Sequence, residues 1–185
     1  MSESAFRRSV VRWCEKHLQG LAIRRPSLAG CGEGRLTVTT ARIYGGEIPW
    51  RYGNRRYAAD WVWKEFTRDV DVSIGIRVNT KYQKLNLGEM VIPIIVIELK
   101  SGGNLNSDEL DKKSAIYGPL SEIYPWVHRV LVHEDMSRRG LGEAYIFRNA
   151  RQFNTILTEW DDRTKEILGN LIDHQIDYLL CYWGF

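Results

Sequence analysis

A chain of 185 residues with 44% hydrophobic and 26% charged residues is long enough to bury one core, so a single domain over 1–185 is expected. A net charge of +3 permits nucleic-acid binding without demanding it, and three scattered cysteines (Cys14, Cys31, Cys181) suit a reducing cytoplasm and argue against a structural zinc site. No apolar run approaches the ~20 residues that span a bilayer, and the opening MSESAFRRSVV lacks a signal peptide's apolar segment; a cytoplasmic protein without membrane contact is expected.

Residues 3–19 read as a helix capped by Ser2 or Ser4 and stopped by Gly20. Phe6, Val10, Cys14, His17 and Leu18 fall on its buried side, with Trp13 flanking. Arg8, Arg12 and Lys16 form a basic stripe opposite, read first as a solvated face and second as a phosphate contact. Residues 21–34 read as loop, and Arg35 to Tyr44, rich in threonine, as a strand.

The stretch from Trp50 to Tyr57 has the strongest nucleic-acid character in the chain. Gly53-Asn54 reads as a two-residue hairpin turn flanked by arginines and aromatics. Arg51, Asn54, Arg55 and Arg56 are therefore candidate nucleic-acid contacts, since arginine forks match phosphates and guanine edges and aromatics stack on bases. The alternative is a hairpin held by aromatic pairs, with its arginines solvated. Tyr57 to Thr67 reads as a helix through Ala58, Trp61, Val62, Glu65 and Phe66; a strand through Trp61, Trp63 and Glu65 is the alternative.

Residues 69–76 read as an acidic strand with Asp69, Asp71 and Ser73 on one face. Ile92 to Lys100 (IPIIVIELK) reads as a strand covered on both faces, hence central. At its end Glu98 and Lys100, two apart, share a face, while Ile97 and Leu99 point the other way. An antiparallel pairing of the two strands would set Asp71 beside Glu98 and Lys100. Two carboxylates and a lysine at one point suit a hard divalent cation and water activation. With only Lys100 to offset the two carboxylates, metal-free Asp71→Asn is expected to be at least as stable as wild type.

Asp71 followed by Glu98-Leu99-Lys100 after an apolar strand resembles the PD-(D/E)xK motif of the restriction-endonuclease-like nuclease superfamily, with Val70 in place of the proline. The resemblance covers about 57–135. It implies an α/β (α+β) fold, a central mixed sheet flanked by helices, with the N-terminal helix 3–19 and a C-terminal helix at about 162–181 packed on that core. It implies a Mg²⁺-dependent DNA endonuclease, Mn²⁺ substituting. In the carried-over roles Asp71 and Glu98 hold the metal with the Leu99 carbonyl, and Lys100 orients or activates the attacking water. Many members take a further acid from the first helix, but here Glu15 projects with the basic stripe. The alternative function is a non-catalytic nucleic-acid-binding or assembly module on the same fold.

Beyond the strand, Ser101-Gly102-Gly103 frees the chain to turn, and Asn106 with Glu109 reads as a capping box opening a helix to about Tyr117. Lys113 and Tyr117, four apart, resemble the QxxxY motif of the exonuclease branch, with Lys113 replacing the glutamine. Lys113 is kept as a candidate nucleic-acid contact, although exposed Lys112 and Lys113 with a half-buried Tyr117 is the favoured reading. Trp126 to His133 reads as a strand parallel to its predecessor because a helical crossover joins them. His128 and His133 read as ordinary strand residues rather than metal ligands. Met136 to Glu143 reads as a polar loop and Phe153 to Trp160 as an edge strand. Asp161 or Asp162 caps a last helix with Ile167, Leu168, Leu171, Ile172, Ile176, Leu179 and Leu180 on one stripe, which covers the sheet or makes a homodimer contact.

Overall fold

The computed structural model describes residues 2–24, 36–39, 43–51, 61–68, 70–77, 91–102, 117–118, 120–135 and 152–183. Its centre is the apolar strand from Val91 to Lys100. The elements are α1 (Glu3–Arg24), β1 (Leu36–Thr39), β2 (Ile43–Arg51), β3 (Trp61–Arg68), β4 (Val72–Arg77), β5 (Val91–Lys100), β6 (His128–His133), β7 (Thr155–Leu157) and α2 (Asp162–Trp183). Five strands form one mixed sheet in the order β1-β4-β5-β6-β7, and β2 and β3 form a separate ribbon. β1, β4 and β5 pair antiparallel, whereas β5, β6 and β7 run parallel. The class is α/β.

β5 is central because it can be buried on both sides: every residue from 93 to 99 is buried. On one face Ile95, Ile97 and Leu99 pack with Val72, Ile74, Val130 and Val132 under Phe6, Val10, Cys14 and Leu18 of α1 and Leu168, Ile172, Ile176 and Leu179 of α2. On the other, Val96 and Leu131 meet Val70, Tyr117, Leu120, Tyr124, Val127 and Phe153. The β4–β5 register shifts once, Ile74 facing Ile95 but Gly75 facing Pro93, so Ile94 is an extra residue on β5.

Helix ends follow local chemistry. Ser2 caps α1, its Oγ accepting from the Ala5 N–H at 3.3 Å. Asp161, not Asp162, caps α2, accepting from the Thr164 N–H at 2.8 Å. Among α2's apolar residues Leu168, Ile172, Ile176 and Leu179 are buried, and Ile167 is exposed. No helix among the described residues is long and apolar enough to cross a membrane.

Four expectations are corrected. Gly20 does not stop α1, which continues to Arg24, so residues 21–24 are helix rather than loop. Burial of Leu21 (1% exposed) on the core stripe offsets the ~1 kcal/mol a helical glycine costs. Arg35 to Tyr44 is not one strand but parts of β1 and β2, which lie in different sheets. The helix expected over Tyr57–Thr67 is instead β3 from Trp61, paired antiparallel with β2. Its Trp, Val, Phe and Thr content favours a strand once a partner is available. The edge strand expected at Phe153–Trp160 shortens to Thr155–Leu157.

β2 and β3 are consecutive and antiparallel, with Arg51 opposite Trp61. The expected Gly53-Asn54 turn, the 106–116 part of the expected helix and the loop at 136–143 lie outside the described residues. A helical segment is described at 117–118 and 120–123.

Candidate active site

The site forms where β4 begins and β5 ends. Antiparallel pairing sets Val72 opposite Ile97, and continuing that register brings Asp71 level with Glu98. Asp71 sits on a bend just before β4. Its Oδ2 accepts a hydrogen bond from the Leu99 N–H at 2.9 Å, which ties the upstream acid to the Glu98-Leu99-Lys100 segment. Its Oδ1 is ion-paired with the Arg7 guanidinium of α1; the Asp71 side chain is 12% exposed and that of Arg7 40%.

Glu98 is 2% exposed, on the sheet face opposite the α1–α2 cluster. Its Oε2 accepts from the Tyr117 hydroxyl at 2.9 Å. Tyr117 is fully buried, with its ring 5.2 Å from that of Phe153. Burial, then the charges of Glu98 and Asp71 and the bond to Glu98, hold the phenol well above its ordinary range, so it remains a proton donor to the carboxylate.

Lys100 is half-buried at the end of β5, beside His133 in the parallel β6, and its carbonyl accepts from the Glu134 N–H at 2.8 Å. His133 is 2% exposed and accepts at Nδ1 from the Asp135 N–H at 3.0 Å. His128 shares a 2.8 Å hydrogen bond with Thr155. Burial, then Arg129 and His174, lowers its pKa. Gly102, two residues after Lys100, sits at φ 62°, in the left-handed region where a side chain is strained.

The structure thus brings Asp71 together with the Glu98-Leu99-Lys100 segment. Arg51 ends β2 in the separate ribbon, and Asn54, Arg55, Arg56 and Lys113 lie outside the described residues. Two participants were not read from the sequence. Tyr117 was expected half-buried and is instead a buried donor to Glu98; its spacing from Lys113 was the available signal. Arg7 lies 64 residues from Asp71, and nothing local announces the contact. It also corrects the charge count, since a second cation besides Lys100 now offsets the two carboxylates.

Among the described residues no three His, Cys, Asp or Glu side chains gather as a metal cage. The candidate donor set is two carboxylates and a backbone carbonyl, all hard oxygens of the kind Mg²⁺ takes. A carboxylate offers about four lone-pair sites, so the bonds from Arg7 and Leu99 leave Asp71 with acceptor capacity. No protein-family model matches the chain, and no curated protein matches it.

Proposed function

We propose that this protein is a Mg²⁺-dependent endonuclease that hydrolyses DNA phosphodiesters on a restriction-endonuclease-like core, with Mn²⁺ as a substitute. The observation that carries the reading is the Asp71–Leu99 hydrogen bond, which joins an acid preceding one strand to the ExK segment ending its neighbour. Asp71, Glu98 and the Leu99 carbonyl would hold the metal. When bound, it supplies Lewis acidity and charge neutralisation at the phosphate. The Tyr117 hydroxyl fixes the Glu98 carboxylate through its hydrogen bond. Lys100, at the less buried end of the strand, orients the attacking water and offsets charge developing on the phosphate.

One observation favours the second reading, a non-catalytic nucleic-acid-binding module. Arg7 neutralises Asp71 with a guanidinium, so the site is charge-compensated without a metal. Cleavage of plasmid, linear and branched DNA with Mg²⁺ or EDTA separates the two. The nuclease reading expects Mg²⁺-dependent cleavage that falls by orders of magnitude in folded Glu98→Gln and Lys100→Ala. Cleavage equal to wild type in either variant, or no cleavage of any substrate, overturns it.

A further inference from the structure

The basic stripe of α1 does not stand alone. Arg8, Arg12 and Lys16 are all exposed, one helical turn apart, opposite the face that buries Phe6, Val10 and Cys14. Lys165, from the first turn of α2, converges on the same open groove of about 370 Å³, which Trp13 also lines. Four cations from two helices far apart in sequence therefore border one concave surface. Lys165 is also paired with Asp162 at 2.9 Å, but Asp162 is fully exposed, so that bond yields readily to another anion. Glu15, though exposed, does not line the groove.

Arg7, which pairs with Asp71, is followed by Arg8, which begins the ridge about 100° further round α1. At 1.5 Å rise per residue, Arg8 to Lys16 extends the cationic surface by about 12 Å, the reach of three or four phosphates along one strand of a duplex.

We propose that the Arg8–Arg12–Lys16 ridge, with Lys165 across the groove, is a docking surface for the phosphate backbone of duplex DNA. This rests on the nuclease reading above and adds to it the surface that holds the substrate. The contacts are charge to phosphate, independent of base sequence, and each releases condensed counterions.

The test is the salt dependence of affinity for a fluorescently labelled duplex, measured in EDTA with the full chain, for wild type and Arg8→Gln/Arg12→Gln/Lys16→Gln. Three lost contacts, each with a slope near 0.9, flatten the log–log plot by about 2.7. Between 50 and 200 mM salt, wild type then loses about 40-fold more affinity than the variant. Arg8→Lys/Arg12→Lys keeps the wild-type slope, because a point charge suffices for a phosphate. An unchanged slope in the glutamine variant overturns the proposal, as does wild type that binds no duplex. Mg²⁺-dependent cleavage is measured on the same preparations. Cleavage with an unchanged slope overturns the ridge alone, whereas a flattened slope without cleavage supports the ridge and rejects the nuclease.

Discussion

Asp71→Asn asks whether this acid braces the metal-free fold or is a charge held there against repulsion. Sequence reasoning, with Lys100 as the only counter-charge, expects the variant to be at least as stable as wild type. The structure reverses that sign. Leu99 is 1% exposed, and its N–H donates to Asp71 Oδ2, so loss of the acceptor strands a buried donor at roughly 1–3 kcal/mol. The Arg7 pair adds at most ~1 kcal/mol, because the arginine side chain is 40% exposed and water screens it. Asparagine keeps one acceptor oxygen for Leu99 but loses the ion pair and turns its amide donors toward a cation. We expect Asp71→Asn to cost about 1–2 kcal/mol and Asp71→Ala about 2–4 kcal/mol. For a chain of this length that lowers Tm by roughly 2–4 °C per kcal/mol. Thermal melts in EDTA read this directly. In the nuclease reading, Mg²⁺ at a hundredfold excess over its Kd then adds about 2.7 kcal/mol to wild type, most of which Asp71→Asn loses. A metal-free Asp71→Asn as stable as wild type would refute the argument, because repulsion from Glu98 would then outweigh both contacts.

Gly169→Ala should destabilise by ~1 kcal/mol even though it improves helix propensity, because the new Cβ falls 2.9 Å from His17 Cε1. The His17 ring cannot yield freely, stacked on Trp13 at 5.2 Å and bonded to Asp173 at 2.7 Å. In a His17→Ala background the same change should become neutral or stabilising, which a double-mutant cycle by urea unfolding checks. Burial pushes the Cys14 thiol from 9.0 up to about 12, so the folded state keeps a proton that the unfolded chain gives up. That contribution, on the order of 4 kcal/mol, is fully present below pH 9 and is lost as pH rises toward 12. Cys14→Ala should therefore flatten the fall in stability above pH 9; an unchanged alkaline slope would refute it.

What was legible in the sequence was what a single element carries within itself. β5 announced its central place through an uncharged β-branched run, and Glu98 and Lys100 announced a shared face through their spacing. The apolar stripe of α2 and its acidic cap were likewise local. Trp61 to Arg68 failed because its aromatics satisfy a helical period and a strand alternation alike, and pairing with β2 decided between them. Arg7 failed for a stronger reason. Which arginine meets Asp71 depends on how α1 crosses the sheet, and that is set by the packing of Phe6, Val10 and Cys14 rather than by anything near Asp71. Tyr117 is similar, because its burial depends on Phe153 and on the strand it faces.

The polar groups collect at one end of the sheet for a topological reason. β5 runs antiparallel to β4 and parallel to β6, so the start of β4 shares an edge with the ends of β5 and β6. Asp71 precedes the first, Glu98 and Lys100 end the second, and His133 ends the third. Strand pairing between β4 and β5 stops there, and Asp71 takes the Leu99 N–H. For the Leu99 N–H alone a neutral acceptor would serve; at Asp71 the charge is also paired with Arg7. Glu98 makes the point most sharply. An amide oxygen would still accept the Tyr117 hydroxyl, in a weaker bond than the charge-assisted one, and would avoid the larger cost of desolvating an anion that is 2% exposed. Glu98→Gln should therefore leave metal-free stability unchanged or higher while abolishing Mg²⁺-dependent cleavage. A loss of several kcal/mol in EDTA would instead show that the negative charge braces the fold, and the case for a catalytic carboxylate would fall with it.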